Sequence, residues 1–241
     1  MQIIRADSYQ SWLYESKGTL VAVDPWLNKK QEFPLFSWLL YRESGEDSYL
    51  IKNNLISRVT HIVITAHFSD HLDLNSLKLF KKNIPIYTTK EASKVLSKNG
   101  FINVSIVNVD SKYQLGEFQL EPKLAGKPYH KTSFAYVISH NLTRVFHEPH
   151  IVNSNHILKN INAAILTVDR VRVLGLVEVS MSMNKASSRS KEMDASYILP
   201  TGISPSSTKG LIAWILSINE HALNLSGDLL ACRKMGDSLT L

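Results

Sequence analysis

The chain has 241 residues, 44% of them apolar, one cysteine (Cys232) and a formal net charge of +6. This composition supports a full hydrophobic core and excludes a disordered chain, an internal disulfide framework and a Cys-rich zinc site. Lysine and arginine occur as scattered residues or pairs such as Lys29-Lys30 and Arg233-Lys234, so no basic face for nucleic acid is expected.

Residues 1–7 hold no apolar signal core, and runs such as 211–216 are too short to span a bilayer, so a cytoplasmic protein is expected. Residues 11–15 and 19–23 alternate as two strands around Ser16-Lys17-Gly18, the second stopped by Asp24-Pro25-Trp26. Residues 27–57 show no clear period and carry Phe33, Phe36, Trp38 and Tyr41. They read as an apolar insert packing on the core, as a wall beside a site, or as a surface for self-association or a membrane.

Residues 61–65 read as a buried strand feeding a polar loop with His67, Asp70 and His71, after which Asp73 caps a helical pattern over 74–82. A short strand at 84–87, a capping-box match at Thr88 to Glu91, a helix ending at Asn99-Gly100 and a strand at 104–109 follow. The second half predicts strands at 119–125, 134–139, 143–146, 163–168, 171–177 and 197–199, the last stopped by Pro200. Helices are expected over 183–196 and, amphipathic, over 207–221. The Ser/Thr-rich stretch 202–210 reads as a helix start that could also hold an anion. Strands alternating with helices in two similar halves fit a single α/β domain spanning 1–241, a two-sheet sandwich.

The order Asp24-Pro25-Trp26, insert, strand, Thr65-Ala66-His67-Phe68-Ser69-Asp70-His71, helix, and later Phe146-His147-Glu148-Pro149-His150, resembles the metallo-β-lactamase fold superfamily. The nearer likeness is to its lactonase-like branch and to a divergent group with Asp-Pro-Trp early and Glu-Pro-His late. The resemblance covers roughly residues 1–215 and implies a four-layer αββα sandwich with a metal site at one edge. In that family the loop reads Thr-His-x-His-x-Asp-His. Thr65, Asp70 and His71 match, whereas the two leading histidines fall on Ala66 and Phe68, with His67 between them.

The resemblance further places a ligand at His130 and the bridging aspartate near His150, and it finds no terminal histidine in Leu199-Pro200-Thr201-Gly202. It therefore implies one divalent ion, zinc first and iron or manganese as alternatives, on Asp70, His71 and His150, with His67 or His130 as further candidates. Asp70 and His71 would be the catalytic pair. Asp24 and Glu148 are expected behind the ligands. Each residue has a plainer reading: His67 as a loop histidine, Asp70-His71 as a turn brace, His130 as a strand-end residue, and His147 and Glu148 as a salt-bridged surface pair or as proton carriers. His61, His140, His156 and His221 read as structural or solvent-facing. The implied activity is hydrolysis of a small ester, lactone or phosphodiester. The alternative is a non-catalytic binding or scaffold protein in which Phe68 fills the space of a lost metal.

Overall fold

The computed structural model describes residues 1–32, 38–203, 208–219 and 230–241. The first half forms β1 (Gln2–Arg5), β2 (Trp12–Ser16), β3 (Thr19–Val23), β4 (Lys30–Glu32), β5 (Tyr41–Glu43), α1 (Tyr49–Lys52), β6 (His61–Ile64), α2 (Leu74–Leu77), β7 (Ile86–Thr88), α3 (Lys90–Lys98) and β8 (Val104–Ile106). The second half adds β9 (Tyr113–Leu115), β10 (Phe118–Leu124), β11 (Phe134–His140), β12 (Thr143–Glu148), β13 (Ala163–Thr167), β14 (Arg170–Val173), β15 (Val177–Glu178), α4 (Met183–Glu192), β16 (Tyr197–Thr201), β17 (Thr208–Lys209), β18 (Leu216–Asn219) and β19 (Ser238–Thr240).

Two large sheets carry the fold, in the orders β19-β1-β2-β3-β6-β7-β8 and β16-β13-β12-β11-β10-β9. Successive side chains on a strand face opposite ways, and this alternation sorts the apolar residues into three layers. Ile3, Trp12, Tyr14, Val21 and Val63 of the first sheet meet Phe118, Tyr136, Val145 and Ile165 of the second in the central core. The intervening Ile4, Leu13, Ala22 and Ile62 pack outward with Leu77, Ala92 and Leu96 of α2 and α3. Ala135, Phe146, Ala164 and Ile198 pack outward with Ala186 of α4. The result is the expected αββα sandwich.

Strands β3, β6, β7 and β8 run parallel. So do β12, β13 and β16. Both sheets therefore send chain exits to shared edges, where loops can carry polar side chains. Asp24 leaves β3 with φ +44° and is almost fully buried. The 65–71 loop leaves β6, and His150 follows β12.

Several local expectations change. The predicted helix over 207–221 is, among its described residues, β17, a 3₁₀ turn at Ala213–Ile215 and β18. β18 pairs with β14 and β17 with β5, so sheet partners override a helical pattern that has no deep core to face. The helix expected over 74–82 is one turn, Leu74–Leu77, although Asp73 caps it by accepting from the Asn75 and Ser76 amides. The cap of α3 is Thr89, accepting from the Ala92 amide, one residue beyond the capping-box reading. Pro200 lies inside β16 rather than stopping it, because this edge strand tolerates a missing donor. Phe33, Phe36, Ser204 to Ser207 and His221 lie outside the described residues.

Candidate metal centre

The site begins with a buried carboxylate. Asp24 Oδ1 accepts from the Thr65 amide (2.8 Å), and Oδ2 accepts from the Thr65 hydroxyl (2.5 Å) and from His71 Nδ1 (2.8 Å). This ties the β3 exit to the β6 exit and fixes the His71 ring with Nε2 turned to the other sheet. His71 Nε2 stands 3.1 Å from His150 Nε2, and both rings are buried. Tyr129, from the 3₁₀ turn Tyr129–Lys131, stacks on His150 with centroids 3.8 Å apart and planes at 20°. Glu148 Oε1 accepts from the His150 amide at 3.0 Å, holding the turn after β12.

Charge follows from these contacts. Burial alone would lower the His71 imidazolium, but the carboxylates of Asp70 and Asp24 outweigh it and hold the pKa up at about 9. Burial pushes His150 well below the ordinary histidine range, and the charge on His71 adds to this. His71 Nδ1 faces Asp24, and a proton on either Nε2 satisfies the approach of the two rings. Burial also pushes Glu148 up to about 8 and His147 down to about 3.

The other predicted residues are placed as follows. Asp70 is partly exposed, its Oδ2 3.7 Å from His71 Nε2. His67 lies against Phe68, ring centroids 4.6 Å apart, and hydrogen-bonds none of the other predicted ligands. His130 lines a hollow with Gly126, Lys127 and residues 151–155, and its buried Nδ1 hydrogen-bonds neither His71 nor His150. His147 and Glu148 are fully buried, which overturns the salt-bridged surface reading. His147 Nδ1 meets the Tyr136 hydroxyl at 2.7 Å, while its Nε2 and Glu148 Oε2 have no hydrogen-bond partner. His61, His140 and His156 bond Thr60, Ser16 and the Leu124 carbonyl, as structural residues do. Tyr129 was missed because nothing in the sequence signals a ring stacking across 21 residues of chain. Thr65 stood in the motif, yet its bond to Asp24 is a tertiary contact.

The residues can be tested against a metal ion. Two nitrogens on one tetrahedral zinc stand roughly 3.3 Å apart, from zinc–nitrogen distances of about 2.0–2.1 Å. The His71–His150 pair has that spacing, and the carboxylate behind His71 is the usual support of a ligating imidazole. Among the described residues no three His, Cys, Asp or Glu side chains form a ready ligand group. Asp70 is the neighbouring carboxylate able to complete one. Earlier in the loop, Ala66 is buried and bridged to Ser133, and Phe68 packs among the rings of His67, His71, Tyr129 and His150, so neither position offers a ligand to a second ion.

The sequence family described as beta-lactamase superfamily domain matches residues 7–202, most of the chain. The chain belongs to the beta-lactamase superfamily. Solved structures agree on the fold. A possible metal-dependent hydrolase from Veillonella parvula is similar over 100% of this chain and 99% of its own, with TM-score 0.71 and 17% identity. The isothiocyanate hydrolase from Delia radicum gut bacteria covers the same shares with TM-score 0.73 and 13% identity. A diphosphatase of the PhnP family is similar over 96% of this chain and 83% of its own, with TM-score 0.62 and 14% identity. No curated protein sequence matches the chain.

Proposed function

We propose that this superfamily member is a metal-dependent hydrolase with a single-ion site on His71, His150 and Asp70, acting on an ester, lactone or phosphodiester. The observation that carries the reading is the Nε2–Nε2 approach of 3.1 Å between two buried histidines from different sheets, one of them backed by Asp24. A divalent ion, when bound, would polarise a substrate oxygen and acidify water. The chain's own part is to hold His71 by Asp24 and Thr65, to hold His150 by Tyr129 and Glu148, and to keep both rings out of bulk solvent. Asp70, at the solvent side, is the carboxylate placed to accept a proton from water or to complete the ligand set. Neighbours of this fold include hydrolases of unlike substrates, so the bond cleaved must be read from the site rather than the fold. The single buried thiol, Cys232, suits the cytoplasmic setting expected from the sequence.

The packing of Phe68 among four site rings favours a second reading, a non-catalytic member whose site has lapsed. One assay separates the two. Protein reconstituted with zinc, manganese or iron is offered 4-nitrophenyl esters, a γ-lactone and bis(4-nitrophenyl) phosphate. Metal-dependent turnover of one class, lost in His71→Ala and His150→Ala, is expected. Metal-loaded protein that turns over none of them would favour the lapsed site.

A further inference from the structure

We infer that the cavity beside His150 takes a neutral aliphatic chain, so that the substrate is an apolar carboxylic ester or lactone rather than a phosphodiester. The inference rests on the hydrolase reading above for the bond broken, but on the cavity alone for the chain. The cavity has a volume of about 380 Å³, within the size range of small-molecule sites, and opens onto Asp70 and His150. Val171, Val173, Val179, Leu40 and Leu216 make its walls.

The charge pattern decides between substrate classes. Strand β14 reads Arg170-Val171-Arg172-Val173, and both valines line the cavity while the arginines fall on the alternate face. Arg170 pairs there with Glu178 at 2.8 Å. Among the described residues the one charged side chain on the lining is Asp70. Three polar lining groups are already engaged, whereas among the described residues the Ser69 hydroxyl and His150 Nδ1 are buried without a hydrogen-bond partner. Thr167 donates to the His150 carbonyl at 2.6 Å, and Ser180 and Gln10 donate to the carbonyls of Asp169 and Asp70. Such walls supply desolvation to a methylene chain and, among the described residues, no lysine or arginine to an anion. Ester hydrolysis at this mouth would break the acyl C–O bond and join the acyl carbon to the oxygen of water. One water proton goes to the leaving oxygen, and the acid formed releases the other to solvent.

Calorimetric titration of the full chain with N-butyl-, N-hexyl- and N-octylacetamide tests the cavity without turnover. Affinity is expected to rise about fourfold per methylene from butyl to hexyl. Dibutyl phosphate, of equal chain length but charged, should bind more weakly than N-butylacetamide. Val173→Trp or, as a second blocking variant, Leu216→Trp should weaken N-hexylacetamide binding at least tenfold. Affinity that ignores chain length, tighter binding of dibutyl phosphate, or no binding of any amide by the wild-type chain would overturn the inference. Chain-length-dependent binding in a protein that hydrolyses nothing would fail the hydrolase reading alone and leave the cavity assignment standing.

Discussion

His71 Nε2 and His150 Nε2 approach to 3.1 Å across the edge of the sandwich, one ring fixed by the loop after β6 and the other by the turn after β12. Without metal, this spacing calls for a proton between the two nitrogens, and the carboxylates of Asp70 and Asp24, which hold His71 up at about 9, favour its placement on His71. A proton and a metal ion therefore compete for one place.

Metal uptake near pH 7 should release about one proton per chain, since the carboxylates beside His71 hold its pKa at about 9 and the ring must be neutral as a ligand. Zinc titrations in buffers of different ionisation enthalpy measure the number. Uptake with no net proton release would mean that His71 is already neutral in the metal-free protein.

Asp24→Asn is the informative substitution behind the ligands. Asn tolerates the left-handed backbone at this position, φ +44°, so the fold should persist. The charge facing His71 Nδ1 is lost, and metal affinity should fall roughly 10–100-fold. Competition against a chelator of known affinity reads it, and an unchanged affinity would remove Asp24 from the site.

Tyr129 supports His150 through its ring face, not its hydroxyl. Tyr129→Ala should weaken metal binding by up to about tenfold, the worth of one well-stacked aromatic contact. Tyr129→Phe should restore it to within about twofold. Equal losses in both variants would point to the hydroxyl instead.

Glu148 gives a pH signature in the metal-free protein. Burial raises its folded pKa to about 8, above the unfolded value of 4.5, so the stability tied to its proton is present below pH 4.5 and is lost as pH rises through 8. Glu148→Gln removes this loss, because the amide stays neutral while its oxygen still accepts from the His150 amide. The melting temperature of the variant relative to wild type should rise between pH 5 and pH 9. About 1 kcal/mol moves it by roughly 2–4 °C at this chain length. A pH-independent difference would show that Glu148 is ionised when folded.

The central architecture was legible because strand periodicity and burial agree. Val21, Val23 and Val63 face one way and Ala22 and Ile62 the other, as alternation requires. The loop from Thr65 to His71 and the Glu148-Pro149-His150 turn were legible as motifs. Which donors meet was not. His130 and Tyr129 are adjacent in sequence, yet Tyr129 reaches His150 while His130 Nδ1 hydrogen-bonds neither His71 nor His150. Residues 208–219 misled for a related reason. Their apolar spacing suits a helix locally, whereas β14 and β5 offer unpaired edges that only the folded chain reveals.

The proposed site takes one metal ion per chain, on His71 and His150 together. Elemental analysis by mass spectrometry of untagged protein, dialysed after loading with zinc, iron or manganese, tests it most directly. Close to one ion is expected in the wild type, with loss of that ion in both His71→Ala and His150→Ala. Two ions in the wild type, none, or one that survives either substitution would contradict it.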